Sequence, residues 1–133
     1  NYHLDTNICI YAMKDSFRPL RTAFQARSPR DIKISTIVLA ELLFGAKNSR
    51  WPDANLERVQ AFVKPMEILE FDASSSSHYA DIRFQLSSTG KIIGANDLLI
   101  AAVARSHGAT LVTNNTREFS RVDGLTLADW TAP

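Results

Sequence analysis

The chain has 133 residues, 45% of them hydrophobic and 22% charged, and 15 Lys+Arg against 14 Asp+Glu give a formal charge of +1. That length buries a core without disulfides or a structural metal, and the lone cysteine, Cys9, excludes an internal disulfide. No apolar run approaches the ~20 residues that cross a bilayer, no Cys/His cluster has zinc spacing, and a reducing cytoplasm is the expected setting.

Short β-type runs alternate with longer helical patterns along the chain. Tyr2–Leu4 is predicted as a strand and Ile8–Lys14 as the helix after it. A second helix covers Pro19–Arg27 and closes at Ser28-Pro29. Ile32–Ser35 is the second strand, and Thr36 can cap a helix over Ile37–Lys47 that Gly45 and Asn48 help to end. Asp53–Val63 is amphipathic, with Leu56, Val59, Gln60 and Val63 along one face. Ile68–Phe71 is the third strand. A helix then starts at Asp72 or the serines beyond it and stops before Gly90. Asp97–His107 is helical up to Gly108, Thr110–Thr113 is the fourth strand, and a last strand lies near Leu125–Leu127. Strands separated by helices imply an α/β fold, read here as one domain over 1–133, with a mostly parallel sheet covered on both faces. Ligands of such sheets bind beyond the carboxyl ends of the strands.

That rule directs attention to the polar residues placed just after strands. Asp5 follows the first, with Thr6 and Asn7 beside it. Glu41 lies in ISTIVLAELLFGA, where almost every neighbour is apolar, so its carboxylate needs solvent, a cation or a metal to offset burial. Asp97, in IGANDLLIAA, precedes a very apolar helix, where it or Asn96 can act as a cap; Gly94 permits close backbone approach. The fourth strand runs into Thr113-Asn114-Asn115-Thr116 and then Arg117-Glu118, which as a turn needs no function. Carboxylates gathered at one edge of a sheet repel, and a hard divalent cation resolves that repulsion; Mg²⁺ or Mn²⁺ on oxygen ligands suits phosphodiester hydrolysis. His3, His78 and His107 have no surroundings that suggest a Ser/His/Asp arrangement. The near-neutral charge neither demands nor excludes a nucleic-acid partner, and the basic residues, read one at a time, are solvated surface.

Four blocks in order carry a family resemblance: LDTNICIYAMK, ISTIVLAELLFGAKNS, IGANDLLIAAVARSHGATLVTNNTREFSRV, and the closing Leu127-Ala128-Asp129-Trp130. The chain resembles the PIN-domain ribonucleases over nearly its whole length, and more closely the VapC toxins of bacterial toxin–antitoxin pairs. The resemblance implies a PIN-like three-layer α/β/α domain with acids clustered at one sheet edge. It makes Asp5, Glu41 and Asp97 the family acids, with Asp5 and Asp97 as direct metal ligands and Thr6 as support. Many PIN domains place a fourth acid in a Thr-x-Asp arrangement; here Thr113-Asn114-Asn115 puts Asn115 at that position, and Glu118 is the carboxylate nearest in sequence to replace it. The implied cofactor is Mg²⁺, with Mn²⁺ as substitute. The implied substrate is structured RNA, above all tRNA and, by the closest-looking branch, initiator tRNA at its anticodon stem-loop. Lys14, Arg18, Arg21, Lys47, Lys91 and Arg117 are candidate phosphate partners. The resemblance further implies a homodimer, a VapB-type antitoxin partner and no membrane association, with Leu42–Ala46 and Asp53–Val63 as candidate contact surfaces.

Two alternatives remain at this level. A non-catalytic RNA- or partner-binding module with a degenerate site is kept open by Asn115. A haloacid-dehalogenase-type phosphatase also starts from an Asp after its first strand, but needs a second Asp where Asn7 stands.

Overall fold

A computed structural model describes Asn1–Pro133 throughout. The strands are β1 (Tyr2–Leu4), β2 (Ile32–Ser35), β3 (Glu67–Leu69), β4 (Thr110–Val112) and β5 (Thr126–Ala128). The helices are α1 (Thr6–Lys14), α2 (Arg18–Gln25), α3 (Thr36–Lys47), α4 (Pro52–Val63), α5 (Ala73–Ser88), α6 (Ala95–Ser106) and α7 (Thr116–Phe119). The strands form one sheet in the order β3-β2-β1-β4-β5, every pairing parallel. Parallel neighbours end at the same edge, so the segments leaving β1, β2 and β4 meet there.

The centre of the sheet is dry. Leu4, Ile32, Ile34, Leu111 and Val112 are at most 1% exposed, and α6 covers them with a nearly unbroken buried run from Ile100 to Ala104. Such runs are what a strand or helix covered on both sides requires. No helix is long and apolar enough to cross a membrane.

The expected elements are all present, with local differences. Ser35, not Thr36, caps α3, its hydroxyl accepting from the Val38 N–H at 3.2 Å. α6 starts at Ala95 behind Gly94, so neither Asn96 nor Asp97 is its cap; Asp97 stands inside the first turn. The polar stretch after β4 folds into the short helix α7. Asp72 caps α5 by accepting from the Ser75 N–H and hydroxyl.

His3 is a feature the sequence did not mark. It is buried in β1, its Nε2 has no hydrogen-bond partner, and its ring lies 5.6 Å from that of His107. Burial first, then the neighbouring His107 and Lys33, hold its pKa down to about 4, so the imidazole is neutral.

Candidate active site

Asp5 is placed by the junction of β1 and α1. Its N–H donates to the Val112 carbonyl of β4, and its Oδ1 accepts from the Ile8 N–H at 2.9 Å as the cap of α1. The cap and the site wall are thus one residue. Only 5% of Asp5 is exposed. Burial pushes its carboxyl pKa up, aided by the charges of Glu41 and Asp129, while hydrogen bonds from Thr113 and the Ile8 N–H work against that rise.

Glu41 reaches the same place from the middle of α3. Thr6 donates to Glu41 Oε1 at 2.5 Å, and the Asn96 amide donates to Glu41 Oε2 at 3.2 Å. The question raised by a carboxylate in an apolar helix is answered here: two polar side chains from α1 and α6 hold it, and no cation pairs with it. Asn96 was expected only as a possible cap; its place beside Asp97 on α6 instead lets it bridge to α3.

Asp97 projects from the first turn of α6, where the unpaired N–H groups of a helix favour negative charge. Its pKa nevertheless rises to about 6, through burial and then the charges of Glu118, Glu41 and Asp5. Those three causes show that one electrostatic neighbourhood holds carboxylates from α3, α6, α7 and the end of β1. Gly94 makes room for it: a Cβ there would sit 3.3 Å from Asp97 Oδ2.

The fourth group combines Asn115 and Glu118. Thr113, fully buried, accepts from the Asn115 N–H, and the Asn115 side-chain amide donates to Glu118 Oε2 at 3.0 Å. Asn115 therefore holds the carboxylate of Glu118. Asp129 is an additional nearby acid that residue-by-residue reading missed. The Thr113 N–H donates to the Ala128 carbonyl, so pairing of β5 with β4 brings Asp129 close enough to act on Asp5. Only that long-range strand register could have revealed it.

The basic candidates divide. Arg21 is paired with Asp15 at 3.0 Å, whereas Lys14, Arg18, Lys47, Lys91 and Arg117 are exposed and in no ion pair. Lys14 shares a cavity of about 260 Å³ with Glu41 and Arg58. Within the two candidate contact surfaces, Leu42, Ala46, Val59 and Val63 are core, while Phe44 is 67% exposed.

The donor chemistry fits a hard divalent ion. The site offers oxygen ligands only, Cys9 is buried with its thiol pKa pushed up, and no Lys or Arg neutralises the four acids. No three His, Cys, Asp or Glu side chains stand close enough together, as placed, to hold an ion between them. Mg²⁺ requires no such cage, because it keeps several waters and takes only one or two carboxylates from a protein.

Comparison with known proteins identifies the family of the fold. The PIN domain model matches residues 2–125. The chain is 41% identical over 129 residues to the tRNA(fMet)-specific endonuclease VapC of Shigella flexneri, covering 97% of each. Its fold superposes on VapBC2 of Rickettsia felis, solved bound to a promoter DNA fragment, with a TM-score of 0.91 at 40% identity, covering 97% of this chain and 98% of that one. It likewise matches DNA-bound VapBC of Salmonella typhimurium with a TM-score of 0.92 at 38% identity, covering 98% of both. This chain belongs to the PIN-domain family and, within it, to the VapC ribonucleases.

Proposed function

We propose that the chain, a single PIN unit over 1–133, is a Mg²⁺-dependent endoribonuclease toxin that stops translation by cutting structured RNA. The substrate is tRNA, initiator tRNA at its anticodon stem-loop in particular, a reading supported by the Shigella flexneri relative's name. The observation that carries the chemistry is the convergence of Asp5, Glu41, Asp97 and Glu118, from four separate elements, into one neighbourhood without a neutralising cation.

Asp5 and Asp97 would hold the ion directly, with Glu41 and Glu118 reaching it through water; Mn²⁺ is a suitable substitute. The bound ion supplies a nucleophile at neutral pH and stabilises charge on the phosphate and leaving oxygen. The protein contributes placement. Thr6 and Asn96 fix both oxygens of Glu41, Thr113 and the Ile8 N–H fix Asp5, and Asn115 fixes Glu118. In-line displacement leaves a 5′-phosphate and a 3′-hydroxyl. The VapBC structures that the fold matches support a VapB-type antitoxin as partner, a homodimer and a cytoplasmic setting complete the reading.

Purified protein free of antitoxin, incubated with total tRNA and Mg²⁺, is expected to give discrete cuts in one tRNA, mapped by end sequencing. Chelation by EDTA and Asp97→Ala should each abolish them. Cleavage surviving either treatment would reject the reading; a binding module, the second reading, would cut nothing.

A further inference from the structure

The four acids repel the polyanion they are proposed to cut, so a productive complex needs cations next to them. A cleft of about 340 Å³, lined by Gln85, Leu86, Thr89, Lys91, Ser120 and Arg121, lies between the end of α5 and the segment after α7. It contains no carboxylate, and neither Lys91 nor Arg121 is in an ion pair. The cavity beside Glu41, by contrast, mixes its cations with an acid.

The cleft borders the acidic rim by construction. Ser120 and Arg121 directly follow α7, which carries Glu118, and Lys91 opens the loop that leads through Gly94 into the first turn of α6 and Asp97. α5 runs antiparallel to α6, since Ser75 and His78 near its start touch Ser106 and Arg105 near the end of α6. The last turn of α5 therefore stands at the catalytic edge.

Its walls are tied together through backbone groups. Gln85 Nε2 donates to the Arg121 carbonyl at 2.9 Å, the Asp123 N–H donates to Gln85 Oε1 at 3.2 Å, and Arg121 Nη1 makes a long contact of 3.4 Å with the Ile92 carbonyl. These bonds hold the frame and leave most of the guanidinium donors, with the Lys91 ammonium, for a ligand. Phe84 and Ile92, chain neighbours of Gln85 and Lys91, are 76% and 49% exposed but do not line the cleft.

We propose that this cleft binds the phosphodiester backbone of the RNA beside the scissile bond, with Lys91 and Arg121 as its phosphate contacts. The proposal rests on the RNA reading above. Lys91 is one of the six candidate phosphate partners read from the sequence, and Arg121 is not among them.

The test measures binding without cleavage. In an Asp5→Asn background and Mg²⁺-free buffer, fluorescence anisotropy with a labelled RNA stem-loop gives Kd across a salt series. Lys91→Ala/Arg121→Ala is expected to weaken binding about tenfold at low salt and to flatten the slope of log K against log salt by ~1.4, or ~0.7 per lost contact. Arg121→Lys should recover most of the slope. Arg30→Ala/Lys64→Ala, which removes equal charge from two exposed positions outside the cleft, should leave both quantities in place. Should the double variant lose its thermal transition, Lys91→Ala alone, whose amine bonds to nothing, must still flatten the slope by ~0.7. An unchanged slope in a folded variant, or an equal loss in the control pair, overturns the cleft. Wild-type cleavage, assayed separately, distinguishes the two readings. Cleavage with an unchanged slope retains the nuclease and rejects the cleft; a flattened slope without cleavage retains the cleft on a non-catalytic RNA binder.

Discussion

Thr6 and Glu41, 35 positions apart in sequence, share a 2.5 Å hydrogen bond that fixes the carboxylate of α3 against the first turn of α1. Charge-assisted bonds of this length are strong and directional. Thr6→Val keeps the shape of the side chain and removes only the donor. It should lower the cleavage rate by about tenfold to a hundredfold, the usual cost of losing a group that orients a metal-site ligand. Thr6→Ser should retain most activity. Initial rates at saturating Mg²⁺, with circular dichroism as the fold check, decide it.

The double duty of Asp5 separates two substitutions. Asn still accepts from the Ile8 N–H, so Asp5→Asn should keep near-wild-type stability while metal-dependent cleavage is severely depressed. Asp5→Ala should lose the cleavage and, in addition, about 1 kcal/mol of stability with the helix cap. Urea denaturation of both variants beside cleavage assays would show the split. Retained cleavage in Asp5→Asn would reject Asp5 as a ligand.

Asp97 gives a pH signature of opposite sense for activity and stability. Its pKa lies at about 6, so cleavage should fall as pH drops through that value and the carboxylate takes up the proton that a metal would have to displace. The raised value means that the folded state binds this proton more tightly than the unfolded chain does. Ionisation of Asp97 therefore costs stability above about pH 6, and the cost is relieved as pH falls toward 3.8. Asp97→Asn should raise the melting temperature of the metal-free protein at pH 7 while abolishing cleavage. A lower melting temperature would show that the acids are not in mutual strain.

Buried His3 predicts an acid limb in the stability curve. Its pKa is lowered from 6.5 to about 4, so unfolding takes up a proton in that window: the stabilisation is complete above 6.5 and is lost as pH falls through about 4. The full effect is about 3 kcal/mol, at 1.36 kcal/mol per pKa unit. His3→Phe should flatten this limb, measured as the difference in denaturation free energy between the two proteins over pH 4–7. An unchanged slope would mean that His3 is not buried neutral.

Much of this molecule was legible in its sequence because local patterns and tertiary demands agree. Leu4, Ile34 and Val112 lie on strands that their β-type runs announced, and α1 to α6 fall close to where the sequence placed them, whereas α7 was read as a turn. The grouping of Asp5, Glu41 and Asp97 followed from the parallel-sheet rule joined to a family resemblance; neither residue type nor spacing alone required it. What escaped were facts set by distant segments. Asn96 bridging to Glu41 depends on how α6 packs beside α3, Asp129 approaches Asp5 through the β4–β5 register, and Asn115 becomes a support for Glu118 because α7 turns back toward it. The cap of α3 shifted by one residue because Ser35 and Thr36 offer the same hydroxyl chemistry.

The acids at 5, 41, 97 and 118 meet only after β4 has paired with β1, and the wall behind Thr113 needs β5, near the end of the chain. The centre is therefore a product of long-range strand pairing: Asp5 and Glu41 lie on segments near the start of the chain, and Glu118 joins them only through β4.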